Sequence, residues 1–187
     1  MRFLRFVTLG AFALSLLASG AFAAEDKAAK QAEVQKKTHA ALERFYKAKP
    51  ELKDAVAKAP GYGIFTTYGF SFVIGGSGGA GLVHDNKTKH VTYMNVGGAT
   101  AGLQLGASQT EVLIIFKTAA AMTNFIDNGW TAGGAATASA GAGSAAAGGG
   151  KGETEMGDAA VYTKTKNGLE VGLAAGASKF WKDKDLN

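Results

Sequence analysis

Residues 61–84 read GYGIFTTYGFSFVIGGSGGAGLVH, in which aromatic and β-branched residues are interspersed with glycine. Aromatic and β-branched side chains fit the pleated surface of a β-sheet, so this composition predicts strands. The polar residues Asp85–Lys89 that follow have the composition of a turn. We predict four strands around this turn: Tyr62–Tyr68, Phe70–Gly75, Gly79–His84 and His90–Val96.

The remainder of the chain continues this pattern with one helical interruption. The run VLIIF at Val112–Phe116 is apolar throughout, as in a strand that is buried on both faces. After it, Thr118 can cap a short helix that ends near Asp127, and Asn167-Gly168 is typical of a tight hairpin. Small residues fill Ala132–Gly152, which fits both a close-packed strand and a loop. Further strands are predicted at Ala101–Ala107, Glu111–Lys117, Ala159–Lys164 and Leu169–Lys179.

The composition changes abruptly at Gly61. The 27 glycines of the chain include none between Ala24 and Pro60, a segment built largely from Ala, Lys, Glu and Gln. These residues favour helices, and a proline fits the first turn of a helix. We predict helices over Lys27–Lys47 and Pro50–Lys58. The expected fold class is α+β: a mainly antiparallel, glycine-rich and barrel-like sheet preceded by N-terminal helices, with one short internal helix.

The first 23 residues have the order of a secretory signal peptide. Two arginines in Met1–Arg5 precede an apolar run to Ala18, and Ala21-Phe22-Ala23 fits the small-residue cleavage pattern. A membrane anchor has a similar order but needs an apolar run of about 20 residues. We therefore expect an exported protein, in the periplasm or at the outer membrane of a Gram-negative bacterium. Residues 24–187 are expected to form one domain, with basic helices at 24–60 and the glycine-rich β domain at 61–187.

The excess positive charge of the mature chain lies in its helical segment. Residues 24–60 carry nine basic and six acidic side chains, whereas residues 61–187 carry nine of each. Lys30, Lys37 and Arg44 recur every seven residues beside an apolar helix stripe, so their cationic ends can meet the phosphates of an anionic membrane. In the alternative interpretation, the helices pack on the sheet and the lysines only solvate the outer face.

Near the C-terminus, Phe180-Trp181-Lys182 places two aromatic residues beside a cation. Tryptophan favours interfaces because its ring is largely apolar and its N–H can be wet, and it is equally suited to closing a core. The expected partner is an anionic phospholipid or membrane surface, with self-association as a second possibility and no nucleic acid. The candidate lipid-binding residues are Lys30, Lys37, Arg44, Lys47, Lys58, Trp181 and Lys182.

No recognisable catalytic arrangement accompanies these residues in the sequence. The chain has no cysteine, which excludes disulfide scaffolds and thiolate metal sites. Gly75–Gly79 satisfies the pattern G-x-S-x-G around Ser77, but a nucleophile elbow needs a helix after its turn, and this segment predicts another strand. His84 and His90 flank a turn, where solvated histidines are more usual than metal ligands. We expect no enzymatic activity, no cofactor and no metal.

Seven segments of the chain stand in a recognisable order. They are the end of the helix pair with the first strand (Ala57–Phe65), a glycine-rich hairpin (Gly75–Leu82), and then Gly97–Ala107, Glu111–Phe116, the predicted helix with Phe125, Trp130–Ala138 and Leu169–Ala177. In this order they resemble the SYLF domain family, and the resemblance extends over about Lys36–Asp185. It implies binding of phospholipids or phosphoinositides and, in some eukaryotic relatives such as the yeast proteins, of actin.

The resemblance and the charge pattern together lead to one expectation. The chain is expected to be an exported, non-enzymatic protein that binds anionic phospholipid at the bacterial envelope. The alternatives are a structural envelope protein that associates with itself and an actin-binding protein.

Overall fold

A computed structural model describes residues 14–71, 74–101, 106–132, 154–155, 158–165, 168–171 and 177–187. Within these ranges the chain forms three helices and nine strands. The helices are α1 (Leu14–Ala48), α2 (Glu51–Lys58) and α3 (Ala119–Asn128). The strands are β1 (Gly61–Ser71), β2 (Ile74–Asp85), β3 (Val91–Ala101), β4 (Gly106–Phe116), β5 (Trp130–Ala132), β6 (Thr154–Glu155), β7 (Ala159–Thr165), β8 (Gly168–Val171) and β9 (Ala177–Lys182).

These nine strands belong to one antiparallel sheet. Its order is β5-β9-β3-β2-β1-β4-β7-β6, with β8 also beside β7. The strands β1, β2 and β3 form a meander, and β4 returns to the other side of β1 with Val112 opposite Phe65. The predicted α+β class is confirmed, because two helices precede the sheet and a third lies between its strands.

The barrel-like closure predicted from the sequence is wrong. Among the described residues the sheet is open, with β5 at one end of its order and β6 at the other. The helices α1 and α2 pack on one face of the sheet, and α3 packs on the opposite face. Because helices cover both faces, the strands bury their apolar side chains without closing on themselves.

Alternation along the strands divides the core into two layers. On β1, Ile64 points to the face covered by α1 and α2, which we call the α1 face, whereas Phe65 points to the face covered by α3, the α3 face. Burial of one large apolar side chain contributes about 1.5–3 kcal/mol, so each layer holds its helices firmly. The buried α1-face layer consists of Ala41, Leu42, Phe45, Leu52, Val56, Ile64, Leu82, Leu113, Ile115, Ala160 and Tyr162.

The sheet curls around its α3 face. The ring centroid of Phe65 on β1 lies 4.8 Å from that of Phe180 on β9, although β2 and β3 separate the two strands. Neighbouring strands are about 4.8 Å apart, so a flat sheet would hold these two backbones roughly 14 Å apart. Gly81 of β2 leaves room for this contact, because a Cβ there would collide with the Phe65 ring and with the carbonyl oxygen of Ile64.

Two segments of α1 are held on the sheet by different interactions. Residues 41–46 pack through apolar side chains, among them Ala41, Leu42 and Phe45. Residues 27–36 are held by side-chain hydrogen bonds. Gln31 Nε2 donates to the main-chain oxygen of Leu186 (2.7 Å), and Gln35 Nε2 donates to the Tyr93 hydroxyl (2.5 Å). Residues 27–36 are therefore more weakly docked than residues 41–46.

Residues Asp183–Asn187 form a clasp between β3 and α1, which we call the C-terminal clasp. The side chain of Asn187 pairs with the backbone of Tyr93, accepting from its N–H (2.9 Å) and donating to its oxygen (2.8 Å). The Asp183 carboxylate fixes the turn by accepting from two backbone N–H groups. The main-chain oxygen of Asn187 accepts from Lys27 of α1 (2.8 Å), so the clasp also holds the helix.

Local signals in the sequence located several element ends correctly. Thr118 caps α3 by accepting from the Ala121 N–H (3.1 Å), and Gly129 ends this helix. Pro50 directly precedes α2. The hairpin predicted at Asn167-Gly168 is confirmed by the pairing of β7 with β8. The first helix begins at Leu14 rather than at Lys27.

The predicted strand Phe70–Gly75 is wrong, because its first two residues end β1 and its last two begin β2, and these two strands pair with each other. Residues 102–105 of the predicted strand Ala101–Ala107 lie outside the described residues, between the end of β3 at Ala101 and the start of β4 at Gly106. These four strands are 11 or 12 residues long and contain glycine, which interrupts the side-chain pattern but not the pairing of backbones. Of the small-residue segment Ala132–Gly152, all but Ala132 lies outside the described residues.

Candidate binding surface

One border of α1 carries the three cations that recur every seven residues. Seven residues are almost two helical turns, so Lys30, Lys37 and Arg44 lie on one side of the helix. Two of them contact the sheet: the Lys37 Nζ lies 6.0 Å from the ring centroid of Tyr68 on β1, and Arg44 binds Glu111 on β4. This basic border therefore faces the part of the α1 face that α1 itself leaves uncovered.

Arg44 is engaged by a buried carboxylate. Its Nε donates to Glu111 Oε1 (2.8 Å) and Oε2 (3.1 Å), and its Nη2 donates to Oε1 as well. The Glu111 side chain is 6% exposed and that of Arg44 is 44% exposed. The hydrogen bond to Glu111 raises the pKa of Arg44 above its usual value. The guanidinium thus anchors α1 on β4 and compensates a carboxylate that has left water.

Lys37 has a weaker partner on its own helix. Its Nζ lies 2.6 Å from Glu33 Oε1 in an i,i+4 pair, and both side chains are largely exposed. The hydrogen bond and charge of Lys37 lower the pKa of Glu33, and the hydrogen bond to Glu33 raises the pKa of Lys37. Exposed pairs of this kind contribute about 0–1 kcal/mol, so Lys37 can exchange Glu33 for another anion at little cost.

Two large aromatic residues remain exposed on the same face. Tyr68 of β1 is 52% exposed and Trp181 of β9 is 41% exposed. Trp181 stands opposite Asn95 of β3, and its ring leans over Gly97, where a Cβ would lie 3.1 Å from Trp181 Cη2. Exposed Trp and Tyr combine an apolar body with a polar tip, which suits them to a surface that is partly wet and partly apolar.

The other candidate residues occupy different positions. Lys30 is exposed on the basic border, Lys47 lies about 80° round α1 from Lys37 and away from the sheet, and Lys58 lies at the end of α2. Lys182 follows Trp181 on β9, so strand alternation turns it towards the other face. Among the described residues, Lys30, Lys47, Lys58 and Lys182 make no ion pair.

Four residues of this surface were not predicted as site residues from the sequence: Tyr68, Gly78, Gly97 and Glu111. One signal was present for Tyr68, because alternation from Tyr62 places it on the same face as the candidate helices. Nothing local marks Glu111 as the partner of Arg44, since the two are 67 positions apart. The two glycines become part of the surface only through the register of β2 and β3.

The motif around Ser77 does not form a nucleophile elbow. Ser77 lies inside β2, between Gly69 of β1 and Gly98 of β3, rather than on a turn that leads into a helix. His84 stacks on Tyr62 and its Nδ1 lies 3.2 Å from Asn86 Oδ1. The described residues hold no group of three or more potential metal ligands. Nor do they include a helix both long and apolar enough to cross a membrane.

Comparison with known proteins agrees with the resemblance drawn from the sequence. The model of the Ysc84 family, described as "Las17-binding protein actin regulator", matches residues 97–187. This match to the SYLF family covers 91 of the 187 residues of the chain. The SYLF match includes β9 with Trp181 and β4 with Glu111, and α1 with its basic border lies before it.

A bacterial relative extends the likeness towards the N-terminus. "Beta cell expansion factor A" from Aeromonas veronii is 32% identical over 162 residues, which is 86% of this chain and 60% of the relative. The chain thus spans about three fifths of the length of this curated relative. The SYLF resemblance predicted from the sequence is confirmed.

Proposed function

We propose that this protein binds the surface of membranes that contain anionic phospholipid. The binding surface consists of Lys30 and Lys37 on α1, Tyr68 on β1 and Trp181 on β9, and we call it the aromatic–basic surface. The observation that carries the proposal is the position of the two exposed aromatic side chains on the face towards which the basic border of α1 is turned. Arg44 serves this surface by fixing α1 through Glu111.

The physical chemistry of the four side chains fits a membrane interface. A basic side chain near an anionic surface contributes about 1 kcal/mol, and this attraction falls off within a Debye length. Tyr68 and Trp181 add apolar contact with the region between headgroups and acyl chains. Two to four such groups give a weak and reversible association, which suits a peripheral protein rather than a permanent anchor.

The proposal is a binding function at the bacterial envelope, after export directed by residues 1–23. The described contacts of α1 begin at Lys27, so cleavage after Ala23 would spare them. The SYLF family supports binding in general, because its description names a binding protein. The same description gives the second candidate, an actin-related function, which is tested by sedimentation of the purified protein with actin filaments.

Co-sedimentation with vesicles tests the proposed function. We expect the protein to sediment with phosphatidylglycerol vesicles at about 0.01 M salt, where the Debye length is about 30 Å, and far less at about 1 M salt, where it is about 3 Å. Vesicles of phosphatidylcholine alone serve as the uncharged control. Equal capture by both kinds of vesicle would contradict the proposal. Sedimentation without vesicles at either salt concentration would instead favour the self-associating structural protein.

A further inference from the structure

The aromatic–basic surface contains a strip of bare backbone between its two aromatic residues. Gly78 of β2 pairs with Gly97 of β3 on one side and with Tyr68 of β1 on the other. A Cβ at Gly78 would meet nothing within 4 Å, so the space above this residue is open. We call this strip, with Tyr68 and Trp181 at its sides, the glycine groove.

The width of the glycine groove suits one hydrocarbon chain. Gly97, over which the Trp181 ring leans, and Tyr68 are two strand spacings apart, or about 10 Å. Carbon atoms in contact are about 3.5–4.0 Å apart, so a single methylene chain above Gly78 needs roughly 7–8 Å between its two neighbours. The groove is too narrow for two chains side by side, and at Gly78 and Gly97 its floor carries no side chain.

The charge at one end of the glycine groove is complementary to a phosphate. The Lys37 Nζ lies 6.0 Å from the ring centroid of Tyr68, at the end of the groove that adjoins α1. Its exposed pair with Glu33 is easily replaced, and Lys30 stands two turns earlier on the same border of the helix. A lipid with its phosphate at Lys37 would direct its chain away from α1 along β2.

We propose that the glycine groove takes one acyl chain of the bound lipid, with the phosphate at Lys37. This inference rests on the proposed function and deepens it, because it turns attraction to a charged surface into recognition of an individual lipid molecule. The ligand proposed for the groove is therefore an anionic lipid with at least one hydrocarbon chain. A phosphate ester without a chain shares the Lys37 contact but leaves the groove empty.

The substitution Gly78→Leu places a side chain in the groove, and its Cβ enters open space. Ala120→Leu on the exposed side of α3 is the matched control, since it adds a leucine to the opposite face. Binding of lysophosphatidylglycerol below its critical micelle concentration is measured by calorimetry for both variants and for the natural sequence. We expect Gly78→Leu to weaken binding about tenfold or more, because each buried CH₂ of the chain contributes to affinity, and Ala120→Leu to leave it unchanged.

Glycerol 3-phosphate is the probe for the phosphate alone, and we expect its binding to be much weaker and the same in all three proteins. A second readout uses Trp130→Phe, which leaves Trp181 as the sole tryptophan. Lipid brominated in its acyl chain should then quench Trp181 fluorescence, and Gly78→Leu should reduce the quenching. Unchanged affinity and unchanged quenching in Gly78→Leu would overturn the proposal that the groove holds an acyl chain. Equal binding of glycerol 3-phosphate and the lysolipid would overturn it as well.

These outcomes are distinguishable from failure of the proposed function. If phosphatidylglycerol vesicles still capture the natural protein while Gly78→Leu binds the lysolipid normally, the surface binds membranes and the groove holds no chain. If neither vesicles nor lysolipid are bound, both proposals fail. A dimer in sedimentation equilibrium that Gly78→Leu abolishes would show that a second copy of the chain occupies the groove, which also overturns this inference.

Discussion

Glu111 brings a carboxylate into the interface between α1 and β4, where Arg44 is its cationic partner. Removal of the arginine leaves that carboxylate buried without a countercharge, with only the Gln109 amide donating to it (3.3 Å), whereas removal of both charges leaves no buried charge. We expect Arg44→Ala to lower the free energy of unfolding by about 2–3 kcal/mol, below the roughly 3–5 kcal/mol of fully buried pairs because Arg44 is half exposed. Urea denaturation measures this loss.

The double variant Arg44→Met/Glu111→Met is the control for that loss. It should recover most of the stability, because two apolar side chains of similar length replace the ion pair. A double variant as unstable as Arg44→Ala would show that the pair acts through packing rather than through charge. For the same reason Arg44 is kept intact in tests of lipid binding, since its loss would disturb the position of α1.

Two glycines of β2 differ in what a methyl group would meet. At Gly81 a Cβ would collide with the Ile64 carbonyl oxygen and the Phe65 ring, and at Gly78 it would enter open space. We expect Gly81→Ala to destabilise the fold by about 1–3 kcal/mol, as overpacking does. Gly78→Ala should leave the melting temperature unchanged or raise it slightly. Equal effects in thermal denaturation would contradict the close approach of β1 to β2 at Gly81.

Tyr46 of α1 makes the stability of the fold sensitive to alkaline pH. Burial, the largest cause, raises its pKa from 10.0 to about 12, and burial also raises the pKa of Tyr62. Between these values the unfolded chain loses protons that the folded chain keeps, so stability falls as pH rises from about 10 through about 12. Urea denaturation of Tyr46→Phe over this range should show a shallower fall. If stability falls with pH as steeply in Tyr46→Phe as in the natural protein, the attribution of this pH dependence to Tyr46 is contradicted.

At the scale of elements, two segments of α1 should differ in stability. Residues 27–36 depend on hydrogen bonds to Tyr93 and the C-terminal clasp, and residues 41–46 depend on apolar packing. Asn187→Ala removes the side-chain pairing with the Tyr93 backbone. We expect faster hydrogen exchange in residues 27–36 and unchanged exchange in residues 41–46. Uniform acceleration along the whole helix would show that α1 docks as one unit.

Elements that depend on local chemistry could be predicted from the sequence, and those that depend on distant pairing could not. The cap at Thr118 and the hairpin at Asn167-Gly168 involve neighbouring residues, and both predictions are confirmed. The end of β1 and the start of β2 were misplaced, because glycine interrupts the side-chain pattern while the backbone pairing of the two strands continues. The C-terminal clasp escaped prediction because a short polar segment has no pattern that reveals its contact with Tyr93.

The candidate binding surface also has features that could be predicted from the sequence and features that could not. The heptad spacing of Lys30, Lys37 and Arg44 predicted a common border on α1, and the contacts of Lys37 and Arg44 with neighbouring strands are consistent with it. The sequence could not show that Arg44 binds Glu111, because that pairing follows from the position of α1 on the sheet. Nor could it show that Tyr68 and Trp181 flank bare backbone, which requires the strand order β9-β3-β2-β1.

At the scale of the whole molecule, the helices in the described part of the chain cover one face of the sheet only in part. The helix α3 covers the concave α3 face around Phe125 and Phe180, and α1 and α2 cover one part of the α1 face. The remaining part of the α1 face holds the aromatic–basic surface. In this account α1 has two roles, since one side of it closes the core and its basic border supplies charge to the adjoining surface.

The central claim is that membrane binding depends on where the positive charges lie and not on the net charge of the protein. Two double variants separate these possibilities. Lys30→Glu/Lys37→Glu reverses the basic border, and Lys36→Glu/Lys53→Glu makes the same change in net charge at exposed positions outside it. Binding is measured by co-sedimentation with phosphatidylglycerol vesicles at low salt. We expect the first double variant to bind more weakly by at least about 2 kcal/mol, roughly thirtyfold, and the second to lose far less affinity. Equal loss in both pairs would contradict the account, because the protein would then respond only to its net charge.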